Sequence, residues 1–127
     1  MRYRTIISSA ALVIAIHIFG SMVNLYNRWI PFDMLMHFLG GVVAAMVAVK
    51  LIGWTKANHP KWFEALFVLG FTLIIGLLWE YMEFGLDFLL GDDYRWVRMT
   101  LRDSLADLGF DSLGGLLFYY INKFKKN

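Results

Sequence analysis

Four long stretches of the chain are predominantly apolar, separated by short polar or proline-marked segments. From Thr5 to Asn27 there is no charged residue, and Ile6, Ile7, Leu12, Val13, Ile14, Ile16, Ile18 and Phe19 leave no polar face. At 1.5 Å per residue such a run is long enough to cross the roughly 30 Å hydrocarbon layer of a bilayer as a helix. Three further spans are predicted at about 32–52, 63–86 and 101–121. Pro31 and Pro60 stand just before the second and third, where a missing N–H costs little. Arg2 and Arg4 ahead of the first run could open a signal peptide. The run is longer than an h-region, however, and no convincing A-x-A site follows, so it reads as an uncleaved anchor. The pattern predicts an all-α integral membrane four-helix bundle, a single transmembrane domain over residues 1–127.

Composition agrees and removes several function classes. The 127 residues are 59% hydrophobic and 17% charged, with a mean hydropathy of +0.57, far oilier than a soluble domain. Four spans use up the length, so no room is left for a Rossmann, P-loop or nuclease domain. The absence of cysteine excludes a disulfide framework, a thiolate nucleophile and a thiolate metal site. Chemistry here must use oxygen, imidazole or backbone groups.

Charge gives an orientation. Arg2, Arg4, Lys50, Lys56, Lys61, Lys123, Lys125 and Lys126 fall on the side of the termini and second loop; Arg28, Arg95, Arg98 and Arg102 fall on the other. The excess predicts cytoplasmic N and C termini in a multi-pass protein of the plasma (inner) membrane. The acids divide the opposite way. Glu64 alone lies inside, whereas Asp33, Glu80, Glu83, Asp87, Asp92, Asp93, Asp103, Asp107 and Asp111 lie toward the outer face, within a net charge of only +2. Acids contribute little to insertion, so their one-sidedness needs another cause. Trp29, Trp96, Trp54 and Trp62 fit interfacial belts, and the lysine tail fits topology and anionic headgroups better than nucleic acid.

The polar residues of the spans recur at helical spacing. Asp33 and His37 are four apart, Glu80 and Glu83 three apart, and Asp103, Asp107 and Asp111 form a stripe at i, i+4 and i+8. A charge in the hydrocarbon costs roughly 2.5–3.5 kcal/mol on insertion scales, so these faces must turn inward and meet. With Asp87 they make seven carboxylates, which cannot all stay ionised without compensating cations. Helix dipoles favour Asp33 and Asp103 at helix starts, but Glu80, Glu83 and Asp87 sit near a helix end, where acids are disfavoured.

Two compensators fit. Arg95, Arg98 and Arg102 could bind the acids in a structural salt-bridge network, although three guanidinium groups cannot neutralise seven carboxylates. A metal ion is the other, and carboxylates with one imidazole suit Mg²⁺, Mn²⁺ or Ca²⁺, with Zn²⁺ or iron open through His37. No short metal signature such as H-E-x-x-H is present. The D-x-x-D-G-x-x-A-R half of the phosphoalcohol-transferase motif is also missing. His17 reads as a packed, hydrogen-bonded histidine, Asn24 as a helix-end amide, and the pairs Gly40-Gly41 and Gly114-Gly115 as sites of close helix packing.

The succession Asp33-x-x-x-His37 with Gly40-Gly41, Trp79-Glu80-x-x-Glu83, and Arg102-Asp103-Ser104-x-x-Asp107-x-x-x-Asp111-x-x-Gly114 resembles the VanZ-like and YjdF-like small membrane proteins, over about three quarters of the chain. Met34 stands where VanZ-like sequences often have lysine, Glu83 where they have glutamine, and Asp111 where they have asparagine. The resemblance implies a polytopic inner-membrane protein. For VanZ it also implies a link to glycopeptide resistance, which these changes of charge do not carry over.

The leading expectation is a cation site opening to the outer face, with Asp33, His37, Glu80, Glu83, Asp107 and Asp111 as metal ligands and Asp103 and Arg102 behind them. Glu83 and Asp103 are the candidate catalytic carboxylates for metal-dependent hydrolysis or transfer on a lipid-linked or amphipathic substrate. The rivals are an ion or proton transport element and an accessory subunit with a structural salt-bridge network. The inner halves of the spans offer little polar path beyond Ser8, Ser9 and His17. Membrane lipids are expected partners, nucleic acid is not, and a homo-oligomer is left open.

Overall fold

The computed structural model describes residues 2–29, 31–90 and 100–124, and all regular structure among them is helical. The helices are α1 (Tyr3–Met22), α2 (Leu25–Arg28), α3 (Pro31–Trp54), α4 (Lys61–Leu90) and α5 (Leu101–Phe124). Tyr3–Met22, Pro31–Trp54 and Lys61–Leu86 are long and apolar enough to cross a membrane. The fourth predicted span is also a helix, but α5 falls short of that composition because it carries Arg102, Asp103, Asp107, Asp111 and Lys123.

The first predicted span, 5–27, is broken rather than continuous. Asn24 adopts the left-handed conformation at φ 58°, which an asparagine tolerates better than most residues, and α2 starts directly after it. The break turns Tyr26 back onto the bundle of rings and side chains formed with Phe32 and Met36, against Val13 and Ile16 of α1.

Helices α3, α4 and α5 pack on one another, whereas α1 lies against α3 and α2. The α3–α5 contact is the closest, and glycine makes it so. A Cβ on Gly41 would collide with the backbone carbonyl of Asp111, and one on Gly114 with that of Phe38. In lipid, where burial supplies no drive between helices, such small residues let backbones approach and gain dispersion contact. Gly115 likewise makes room for Thr72, and Gly76 for the Asp111 carboxylate. Ala45, Ala48, Val68 and Tyr119 fill the middle of this three-helix unit.

Its two ends differ in charge. At one end Lys123 donates to Glu64, and the Tyr119 hydroxyl donates to Glu64 Oε2 at 2.9 Å, tying the start of α4 to the end of α5. Tyr3 packs near Trp54 there, with Lys50 Nζ 4.4 Å from its ring centre. At the other end the starts of α3 and α5 meet the later part of α4, and the acidic residues gather.

Candidate functional site

His37 organises the acidic end. It lies one turn along α3 from Asp33, and its side chain is only 5% exposed. Nδ1 stands 3.3 Å from Asp111 Oδ2. A carboxylate can only accept, so Nδ1–H donates and Nε2 is left facing the opposite way. Around Nε2 stand Glu80 Oε1 at 3.7 Å, Asp33 Oδ1 at 3.8 Å and Asp107 Oδ2 at 3.9 Å, one carboxylate from each of α4, α3 and α5. All three are beyond hydrogen-bond reach.

Glu80 is held by one oxygen and leaves the other open. The Ser104 hydroxyl donates to Oε2 at 2.6 Å, while Oε1 is buried without a hydrogen-bond partner. A buried, unpaired carboxylate oxygen is costly, and such a group calls for an ion or a water at that point. Glu83, one turn further along α4, reaches the same place: ligand atoms of His37, Glu80 and Glu83 lie within 4.8 Å of one another, as do those of Asp33, His37 and Asp107.

The sequence-derived site residues therefore divide into groups. Asp33, His37, Glu80, Glu83 and Asp107 converge, and Asp111 joins them from behind, on the far nitrogen of His37. Asp103 is engaged elsewhere. Its carboxylate accepts from Thr100 Oγ1 at 2.5 Å, and its N–H donates to that oxygen at 3.2 Å, a reciprocal cap that starts α5. Arg102 is exposed. Arg95 and Arg98, the other proposed counter-charges, lie outside the described residues, as do Asp92 and Asp93. Among the described residues the cluster contains no lysine or arginine ion pair.

Ser104 is a contact of the candidate site that sequence reasoning left without a role. Its signal was its position three residues before Asp107, on the same helical face. His17, read as a packed histidine, has Nδ1 2.5 Å from the Tyr26 hydroxyl and meets the Trp79 ring edge-on at 5.2 Å between centres. An oxygen-rich pocket with one oriented imidazole is suited to hold a hard or borderline cation, or to pass a proton among its carboxylates.

With this geometry established, comparison with known proteins places the chain. A family of predicted membrane proteins, DUF2238, matches residues 4–126. The chain belongs to this family. The match supports the expected membrane protein family but not VanZ-like or YjdF-like membership specifically, and together with the three membrane-length apolar helices it assigns the chain to a membrane. An uncharacterized protein of Thermotoga maritima is 31% identical over 102 residues, which is 76% of this chain and 50% of the relative. The chain thus spans about half the length of the relative it matches. No solved structure matches.

Proposed function

We propose that this DUF2238 member holds a divalent cation in the outer half of a four-helix inner-membrane bundle, with both termini in the cytoplasm. Asp33, His37, Glu80 and Asp107 would be its ligands, with Glu83 beside them. The supporting observation is the surroundings of His37 Nε2: three carboxylate oxygens at 3.7–3.9 Å, one of them Glu80 Oε1, which is buried without a hydrogen-bond partner. With the Nδ1 hydrogen committed to Asp111, a lone pair at Nε2 points at negative oxygens, which is repulsive without a cation among them. A second proton on the ring supplies one charge against the five carboxylates gathered there. Ligands around an ion with bonds of roughly 2.0–2.4 Å stand roughly 2.8–3.9 Å apart, so the observed spacing accommodates one.

The donors favour Mg²⁺, Mn²⁺ or Ca²⁺, with Zn²⁺ acceptable through the imidazole. Such an ion polarises a phosphoryl or ester oxygen, or activates a water, for hydrolysis or transfer on a lipid-linked substrate. Glu83 is the carboxylate placed to take the proton. The motifs shared with VanZ-like and YjdF-like proteins lie on these residues and support reading them as one site. Element-specific analysis of the purified protein tests the proposal. A stoichiometric divalent metal is expected, lost in His37→Ala and Asp107→Asn; full metal content in either variant would refute the ligand assignment.

A further inference from the structure

The acidic cluster is one end of a longer feature. A cleft of about 570 Å³, its open mouth included, runs between α1, α3 and α4 from Asp33, His37 and Asp111 toward Ala44 and Thr72. Away from that polar end its walls are mostly apolar, with Val13 and Ile14 of α1, Met36 and Ala44 of α3 and Ile75 of α4 alongside His17, Tyr26, Thr72 and Trp79. From Met36 to Ala44 is about 12 Å along the helix axis, room for on the order of ten methylene groups of an extended chain. The long axis runs from the level of the cluster toward the middle of the helices, the direction a lipid chain takes below its headgroup.

The cleft also opens sideways. Among the described residues α1 has no close backbone approach to α4, and the edge-on rings of His17 and Trp79 bridge the seam beside the cluster. Little of α1 is buried, with Ile14 54% and Ile18 52% exposed, so this wall is the most loosely held in the fold. Its packed contacts are with Tyr26, Phe32 and Met36 through Val13 and Ile16, not with the α4 backbone.

We infer that this cleft receives a hydrocarbon chain of a phosphate-headed bilayer lipid, admitted between α1 and α4, with the phosphate oxygens on the cation site. The inference rests on the cation reading and adds to it the substrate class and the side of access. The two poles of the cleft match the two parts of that molecule: apolar walls for the chain, and for the phosphate the end where Asp33 and His37 line the cleft and also belong to the proposed ion site. A headgroup held at the ion leaves its chain in the apolar part of the cleft, out of water. His17 and Trp79 then face the lipid where chain joins head.

The test uses the full chain in phosphatidylcholine nanodiscs, a phosphatidic acid probe with a diazirine midway along one acyl chain, and a diacylglycerol carrying the same chain. Photoadducts are expected on Val13, Met36 and Ile75, at least tenfold more from phosphatidic acid than from diacylglycerol, and reduced to the diacylglycerol level by chelation. Ala44→Phe fills the cleft a helical turn or more below the ligands and should remove the adducts while metal content is unchanged. Ile14→Trp, on the loosely packed wall, should do the same and covers the case that Ala44→Phe does not fold. Adducts spread over the outward faces of the helices, equal for both probes, would mean ordinary surrounding lipid and overturn the inference. If wild-type protein carries no ion, the headgroup assignment falls with the cation reading. If the ion is present and the adducts persist in both filled variants, the chain assignment falls alone.

Discussion

The two nitrogens of His37 have separate tasks. Nδ1 is spent on Asp111, which holds the ring; Nε2 is thereby presented to Asp33, Glu80 and Asp107. This is the carboxylate–imidazole arrangement that orients a metal-ligating histidine from behind. Asp111 accordingly acts through His37, although its spacing in the sequence is indistinguishable from that of Asp107. Asp111→Asn should weaken metal affinity about 10–100-fold without abolishing the site. Asp107→Asn, which removes a proposed ligand, should lose the metal altogether. Chelator competition on purified protein ranks the two, and equal loss in both would place Asp111 among the ligands instead. Ser104→Ala addresses Glu80 in the same way: with Oε2 released, Glu80 can turn from Nε2, and metal affinity should fall by a factor near that of Asp111→Asn. Unchanged affinity would make the Ser104 contact incidental.

Among the elements, the α3–α5 crossing positions the site. Asp33 and His37 come from one helix and Asp107 and Asp111 from the other, and they meet because Gly41 and Gly114 let the two backbones touch. Placing a methyl group in such a contact forces the helices apart, and overpacking of this kind costs about 1–3 kcal/mol. Gly41→Ala and Gly114→Ala should therefore destabilise by that amount and lower metal affinity as Asp107 and Asp111 move away from Asp33 and His37. Gly53→Ala is the comparison, since nothing lies within 4 Å of a Cβ there. Its effect should stay within about 0.5 kcal/mol. Unfolding by SDS titration measures all three. At the opposite end of the same unit, Lys123 and Tyr119 on Glu64 close α4 onto α5, so the cluster end is free to be acidic without the helices splaying at both ends.

Among the described residues, Asp33, Glu80, Glu83, Asp103, Asp107 and Asp111 lie at one end of the molecule, and Lys50, Lys56, Lys61 and Lys123, with Glu64, at the other. That asymmetry predicts which end faces the cytoplasm. Because the chain has no cysteine, single-cysteine variants report topology without background. Arg28→Cys should react with a membrane-impermeant maleimide in intact cells, and Asn58→Cys only after permeabilisation. The reverse pattern would put the cation site on the cytoplasmic side and require another reading of its access.

The sequence alone determined that the chain is helical and membrane-embedded, where α3, α4 and α5 run to within a few residues, and which carboxylates share a face with His37. These follow from local quantities: apolar run length against bilayer thickness, and spacing against 3.6 residues per turn. Asn24 reads as a helix-end amide, but the break there was not legible, because an amide near the end of an apolar run does not show that it turns left-handed and packs Tyr26. Nor could spacing separate Asp103, spent on capping α5, from Asp107, four residues on. Tertiary structure decided that division, the direction of each His37 nitrogen, and the open seam along α1. All depend on how far apart helices sit and at what rotation, and glycine contacts between distant segments set both.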